Sequence, residues 1–195
     1  MGEAYTLSHL VTTRKCQKNL NKKLYNKEKR LRMNRLWAPW RIEYIREKKD
    51  EGCVFCNKSL SDQDQNNLVL YRGKESFILM NLYPYSNGHL MISPYSHTSD
   101  TNDLSASCNE EIMRFANESM KILKNKMNAE GFNFGANLGK AGGAGIEDHL
   151  HYHIVPRWNG DTNFMPVVGT TKVMVEGLKE TWVNLKSEFD AIEDI

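Results

Sequence analysis

The sequence predicts an α+β fold in which an antiparallel sheet of about five strands is flanked by helices. Short strand-forming segments follow one another without regular strand–helix alternation, and two amphipathic helical segments stand apart from them. A chain of 195 residues is long enough for one domain with a full core, or for one domain with an appendage. We interpret residues 33–195 as that single domain.

The strand segments are bounded by turn-forming residues. Apolar and β-branched residues predict strands at 68–72, 76–81 and 89–93, with turns at Gly73 and within 84–88. Such a succession favours a meander. Another strand is predicted at 132–137, before a loop at 139–145 that contains four glycines.

The helical segments show apolar residues at helical spacing. Between residues 109 and 127, apolar side chains recur at positions 112, 115, 116, 120 and 123, which predicts a helix that covers one face of the sheet. A second amphipathic helix is predicted near 173–189. Residues 40–49 also have helical character, which Gly52 ends.

The most informative segment contains three histidines spaced by two, His149-Leu-His151-Tyr-His153. Alternate side chains of a strand share a face, so the imidazoles are expected on one side, with Leu150, Tyr152 and Ile154 on the other. Pro156 is expected to close this strand. Because three side chains that titrate near neutral pH would converge on one patch, the segment predicts a functional site.

Two chemistries suit this cluster. Neutral imidazoles can hold a catalytic metal with an open position that activates water. Alternatively, one imidazole can attack phosphorus and form a covalent intermediate. The glycine loop at 139–145 favours the second chemistry, because successive backbone N–H groups of small residues can face a polyphosphate.

The four cysteines, at positions 16, 53, 56 and 108, do not have the pattern of a disulfide framework. Cys53 and Cys56 form a Cys-x-x-Cys pair. A redox pair would lie between a strand and a helix, whereas here we expect a helix before the pair and a polar stretch after it. The pair therefore favours metal binding over redox chemistry.

The charge is unevenly distributed. Residues 1–32 hold nine basic and two acidic residues, whereas the remainder holds 17 basic and 22 acidic residues. Three interpretations of this leader remain open: a nucleic-acid-binding arm, a targeting segment, or sequence upstream of a true start at Met33. We favour the last, with a disordered tail next. No secretory signal or membrane-spanning run is seen, so we expect a cytoplasmic protein without a membrane partner.

The segment His149-Leu-His-Tyr-His-Ile-Val closely resembles the motif of the histidine-triad (HIT) superfamily. The stretches 34–41, 52–56, 81–89 and 155–164 look like the branch that contains bacterial diadenosine tetraphosphate phosphorylases. This resemblance implies a homodimeric nucleotidyltransferase. It would cleave diadenosine tetraphosphate with inorganic phosphate to ATP and ADP through a nucleotidyl-histidine intermediate, without an organic cofactor.

The resemblance also implies residue roles. His151 would attack the α-phosphorus, His153 would donate to a non-bridging phosphate oxygen, and His89 would complete the polar network. A structural zinc ion would be held by four side chains, Cys53, Cys56, His97 and His149. The nucleotide would be bound by Asn81 at the ribose, by Val54, Phe55, Leu79 and Leu82 around the base, and by Asn137, Gly143 and Gly145 near the phosphates.

One departure from the family pattern bears on the reaction. Many HIT hydrolases carry Gln, Ser or Thr just before the triad, where this chain has Gly145 and Ile146. This favours phosphate over water as the acceptor. The alternatives are a HIT hydrolase of dinucleoside polyphosphates or nucleoside phosphoramidates, and a nucleotide-binding sensor. A nucleic-acid partner would rest on the basic leader alone.

Overall fold

The computed structural model of this protein describes residues 52–161, 168–169 and 173–192. Within these residues, five strands form one antiparallel sheet in the order β1-β2-β3-β5-β4. The strands are β1 Val69–Arg72, β2 Ser76–Met80, β3 Leu90–Pro94, β4 Gly131–Ala136 and β5 Tyr152–Arg157. The helices are α1 Val54–Leu60, α2 Asp64–Asn67, α3 Ala106–Met127 and α4 Leu178–Asp190. The predicted α+β fold and the meander of β1 to β3 are confirmed.

The two faces of the sheet bury different side chains. One face packs against α3 and α4 through the helix-side cluster, which includes Leu70, Ile78, Leu90, Ile92 and Ile154 from the strands, and Phe115, Leu123, Leu185 and Phe189 from the helices. The opposite face carries a smaller group, the site-side cluster, which consists of Phe55, Val69, Phe77, Leu79 and Met91. Strands β1, β2 and β3 supply both clusters, because successive side chains of a strand point to opposite faces of the sheet.

Helix α3 is tied to the turn between β1 and β2 by a buried carboxylate. Glu111 accepts hydrogen bonds from the main-chain N–H groups of Lys74, Glu75 and Ser76 at 2.7–3.0 Å, and from the Ser76 hydroxyl at 2.6 Å. A Cβ atom on Gly73 would lie 2.4 Å from the ring of Phe115, so the close approach of this turn to α3 requires glycine.

The two edges of the sheet differ. Along β1, the carbonyls of Val69 and Leu70 accept hydrogen bonds from Trp182 Nε1 and Lys186 Nζ of α4, at 3.0 and 3.1 Å. The other edge, β4, pairs with β5 alone among the described residues, and Phe134 there is 37% exposed. Unpaired edge groups favour pairing with another strand unless they are covered.

Two helix predictions need correction. The C-terminal helix begins at Leu178, about five residues later than predicted, since the Asn87 side chain bonds the main chain of the preceding segment. Its Nδ2 donates to the Glu176 carbonyl at 3.0 Å, and its Oδ1 accepts from the Val175 N–H at 2.9 Å. The polar stretch predicted after the Cys53–Cys56 pair begins within a short helix, α1, which also contains Cys56.

Other predictions concern residues beyond those described. The helix predicted at 40–49 and the division at 32/33 lie outside them, and the domain division stays a prediction. Among the described residues, no helix has the length and apolarity that crossing a membrane requires. The cytoplasmic location also stays a prediction.

Candidate active site and metal centre

The histidine segment keeps its alternation, although the strand is shorter than predicted. Strand β5 begins at Tyr152, so His149 and His151 precede it. Tyr152 and Ile154 pack on the helix-side cluster, whereas His149 and His151 contact Phe55 of the site-side cluster, with ring centroids 5.2 and 4.7 Å away. The imidazoles thus lie on the face opposite α3.

Pro156 lies within β5 and does not close it, which corrects the prediction. Its carbonyl accepts from Ser86 Oγ at 3.0 Å and so faces away from β4. In an antiparallel ladder the nitrogen and the carbonyl of one residue point to the same side. The missing N–H of Pro156 therefore faces the side where the β3 pairing has ended, and the β4 ladder loses no bond.

The hydrogen bonds of His151 leave one nitrogen available. Nδ1 lies 2.8 Å from the main-chain carbonyl of His149. A carbonyl only accepts, so Nδ1 carries the hydrogen and Nε2 keeps its lone pair. Burial lowers the pKa of His151, and the bond to the carbonyl raises it in part. The ring is therefore neutral near pH 7, with a nucleophilic Nε2.

His153 and His89 form a hydrogen-bonded pair beside His151. His89 Nε2 lies 3.0 Å from His153 Nδ1, and the rings of His151 and His153 are 4.9 Å apart. Burial, together with the neighbouring His151, lowers the pKa of His153 to about 4. Its Nε2 is buried and has no hydrogen-bond partner among the described residues. Leaving such an atom unpaired costs roughly 1–3 kcal/mol, which a ligand with a hydrogen-bond acceptor would recover.

The four predicted metal ligands converge at one point. Atoms of Cys53, Cys56, His97 and His149 lie within 4.8 Å of one another. His149 Nδ1 is 3.2 Å from Cys53 Sγ, 3.5 Å from Cys56 Sγ and 3.2 Å from His97 Nδ1. Tetrahedral zinc with bonds of about 2.0–2.3 Å requires ligand separations of about 3.3–3.8 Å. The donor set and its spacing fit a closed zinc site.

His149 connects the Cys/His cluster to His151. Its Nε2 donates to the Pro94 carbonyl at 3.0 Å, which leaves the Nδ1 lone pair facing the two sulfur atoms. Its own carbonyl accepts from His151. One residue therefore contributes its ring to the Cys/His cluster and its main-chain carbonyl to the hydrogen bond with His151.

Arg72 positions the helix that carries the cysteines, a role that the sequence analysis missed. Its guanidinium donates to the carbonyls of Lys58, Ser59 and Ser61 at 2.6–3.0 Å, and to the Asp64 carboxylate at 2.8–2.9 Å. These bonds hold the C-terminal end of α1, whose N-terminal end bears Cys53 and Cys56. Its location in a predicted strand gave no signal for this role.

The residues predicted to line the base pocket divide between two places. Phe55 and Leu79 are fully buried in the site-side cluster, and Val54 on α1 is exposed. Leu82 packs against the helix-side cluster instead. Asn81 lies beside His89, with its amide nitrogen 3.4 Å from Nδ1 of that ring. The structure thus brings Asn81 to His89 but does not bring Leu82 to Val54, Phe55 and Leu79.

Several main-chain N–H groups of the glycine loop form hydrogen bonds within the loop itself. The N–H groups of Gly142 and Ala144 donate to the Gly139 carbonyl, and that of Gly143 donates to the Lys140 carbonyl, at 3.0–3.3 Å. This runs against the expectation that successive N–H groups face an anion. The loop is a 3-10 turn, which closes these bonds on itself. Gly145 is exposed, and no hydrogen bond from its N–H is found within the described residues.

These features define an α+β protein with a paired set of histidines beside a Cys₂His₂ cluster. Residues 62–160 match the family model of the HIT domain. The chain belongs to the HIT family.

Two of the relatives that the chain resembles are named as enzymes. The chain is 38% identical over 170 residues to a protein of Mycobacterium tuberculosis named AP-4-A phosphorylase, covering 80% of this chain and 85% of the relative. It is 28% identical to a bis(5'-adenosyl)-triphosphatase of Dictyostelium discoideum, over 46% of this chain and 59% of that protein. The predictions of a HIT protein and of an enzyme are confirmed.

A solved structure agrees with the fold. A zinc-bound histidine triad family protein from Mycobacterium smegmatis superposes with a TM-score of 0.57, at 22% identity, over 71% of this chain and 94% of that one. At this identity the likeness concerns the fold.

Proposed function

We propose that the protein is a nucleotidyltransferase that cleaves diadenosine tetraphosphate with inorganic phosphate to ATP and ADP. The observation that carries the chemistry is the His151 ring, whose Nδ1–H is held by the His149 carbonyl and whose Nε2 lone pair is available. The similarity to the mycobacterial phosphorylase over most of both chains supports the substrate and the acceptor.

The reaction has two balanced steps. His151 Nε2 attacks the α-phosphorus of one adenylate, an N–P bond forms, and the bond to the bridging oxygen breaks to release ATP. An oxygen of inorganic phosphate then attacks the same phosphorus, and the N–P bond breaks to release ADP. His153 donates to a non-bridging oxygen, where negative charge accumulates in both steps.

Turnover with and without phosphate tests this proposal. We expect continued formation of ATP and ADP only when inorganic phosphate is present, with products separated by chromatography. Without phosphate, ATP release should stop after one turnover, because the nucleotidyl group stays on His151. His151→Asn is the matched control, since its amide can replace the Nδ1 donor but not the nucleophile. Products that contain AMP and form without phosphate would instead identify a hydrolase, the reaction named for the triphosphatase relative. Nucleotide binding without either reaction would identify a sensor.

We also propose that the Cys₂His₂ cluster holds a structural zinc ion. Two thiolates and two imidazoles complete a tetrahedral shell and leave no position for substrate, so the ion would stabilise the fold around His149. Metal analysis is expected to give about one zinc per chain, with loss of the metal in Cys56→Ser and retention in Cys108→Ala. Metal-free protein of unchanged thermal stability would contradict this.

Finally, we propose that the protein forms a homodimer through the β4 edge. The β1 edge is covered by α4, whereas β4 exposes Phe134 and the edge of its backbone ladder. Phe134→Lys is expected to halve the mass measured by light scattering. Met113→Lys, at an exposed position on α3, is the matched control. A monomeric wild-type protein would reject the proposal.

A further inference from the structure

The turn before β3 surrounds one nitrogen of His89 with donors. The main-chain N–H of Tyr85 lies 3.0 Å from His89 Nδ1, and the amide nitrogen of Asn81 lies 3.4 Å from the same atom. The Asn81 orientation is set by another main-chain group, because its Oδ1 accepts from the Tyr83 N–H at 2.8 Å. Both neighbours of Nδ1 therefore donate, and Nδ1 must accept.

This arrangement determines which nitrogen carries the hydrogen in two imidazoles, those of His89 and His153. Since Nδ1 of His89 accepts, its hydrogen lies on Nε2, which donates to His153 Nδ1 at 3.0 Å. The His153 hydrogen must then lie on Nε2, the buried atom without a partner among the described residues. The main-chain N–H of Tyr85 thus determines, through His89, which nitrogen of His153 carries the hydrogen.

We propose that the main-chain N–H of Tyr85 is a positioning group that, through His89, fixes the hydrogen of His153 on Nε2 for donation to a non-bridging phosphate oxygen. This inference rests on the proposed function for the identity of that oxygen. The donor is the peptide group of Tyr85, and no side-chain pattern in the sequence reports it.

The chemistry of the pair follows from this placement. Each ring uses the lone pair of its Nδ1 to accept a hydrogen bond, so neither ring has a lone pair left to act as a base. Transfer of the Nε2 hydrogen from His153 would leave an anionic imidazole in a buried site, which is strongly unfavourable. His153 therefore supplies a hydrogen bond to the developing charge and keeps its proton.

The direct test is the hydrogen position on each ring in the full-length, zinc-loaded protein. Long-range ¹H–¹⁵N correlation spectra at neutral pH, with histidine labelled and signals assigned by single substitutions, distinguish a protonated nitrogen from a bare one. We expect His89 and His153 to carry hydrogen on Nε2 and to have bare Nδ1 atoms. A hydrogen on Nδ1 of either ring would overturn the proposal.

A pair of substitutions at one position isolates the peptide group. Tyr85→Pro removes the N–H, whereas Tyr85→Ala keeps it and removes the ring that lies 4.7 Å from His89. We expect Tyr85→Pro to lower kcat with little change in KM, by up to roughly 10²-fold, which is the effect of losing one transition-state donor in every molecule. Its spectrum should show Nδ1–H on a fraction of His89, while Tyr85→Ala keeps the wild-type hydrogen positions. Wild-type hydrogen positions and kcat in a folded Tyr85→Pro would refute the role.

Asn81→Asp provides a second test if the proline variant does not fold. A carboxylate has no N–H to donate and only accepts hydrogen bonds, so the hydrogen of His89 should move to Nδ1. His89 Nε2 would then accept, and the hydrogen of His153 should move to Nδ1 as well. We expect that reversal in the spectrum and a fall in kcat. Unchanged spectra in this variant would count against the proposal. The spectra need no substrate, so the absence of phosphate-dependent turnover in the wild type would reject the proposed function and leave the hydrogen positions to decide this inference.

Discussion

The two faces of the sheet are built by the same strands, yet their side chains meet different partners. On the helix-side face, Ile78, Leu90 and Ile154 belong to one apolar cluster with side chains of α3 and α4. On the other face, the residues between them lie near His151, His153 and the Cys₂His₂ cluster. The difference teaches that a single alternating pattern assigns one set of side chains to core packing and the other set to the candidate site. This follows because neighbouring side chains along a strand face opposite sides of the sheet.

The largest effect is expected on the site face, from loss of the nucleophile. His151→Asn should lower turnover by at least about 10⁴-fold, or about 5.5 kcal/mol of transition-state stabilisation, as removal of a covalent nucleophile does elsewhere. Its melting temperature should stay close to that of the wild type. Steady-state kinetics and a thermal melt check both parts. Turnover within tenfold of wild type would mean that another group attacks phosphorus.

The next effect belongs to the helix face. Phe115 is fully buried and packs edge-on against Tyr71, with ring centroids 5.3 Å apart. Phe115→Ala should lower the free energy of unfolding by about 3–5 kcal/mol through lost burial and a cavity. Activity per folded molecule should be retained at temperatures where the variant is folded. Denaturant unfolding measures the first quantity. A selective loss of kcat in fully folded protein would contradict the inference that the helix-side face serves stability alone.

A pH effect of intermediate size is expected from His153. Its pKa is lowered from 6.5 to about 4 in the folded protein. As the pH falls below 6.5, the unfolded chain binds a proton that the folded chain does not, so stability is full above pH 6.5 and declines towards pH 4. The loss is at most about 3 kcal/mol.

The matched variant for this measurement is His153→Gln, which cannot titrate. The difference between its pH-dependent unfolding free energy and that of the wild type cancels the contribution of the metal ligands. We expect the wild type to lose more stability between pH 6.5 and 4. Parallel curves would show that burial does not lower the pKa of this ring.

The smallest effect is expected at the turn between β1 and β2, which Glu111 ties to α3. Ser76→Ala removes the hydroxyl that donates to Glu111 but keeps the main-chain donors to the same carboxylate. The free energy of unfolding should fall by about 1 kcal/mol, the usual value for one hydrogen bond, with turnover unchanged. Chemical denaturation with substrate assays would check this. A loss of several kcal/mol would mean that the hydroxyl organises the whole turn.

Much of the fold could be predicted from periodicity. The strands around 78 and 91 and helix α3 appear within a few residues of their predicted positions, because apolar spacing directly reflects which side chains can be buried. The predicted start of α4 was wrong, and α1 was not predicted. The start of α4 depends on Asn87, which bonds the main chain of Val175 and Glu176 from almost ninety residues away.

The candidate site shows the same division. The spacing of His149, His151 and His153 by itself determined that imidazoles share one face of the chain, since alternation is a property of extended backbone. Only the tertiary structure decided which nitrogen each ring presents. That depends on the carbonyls of His149 and Pro94 and on the N–H of Tyr85. Every residue except proline carries both main-chain groups, so their direction is set by the path of the folded chain and leaves no mark in the sequence.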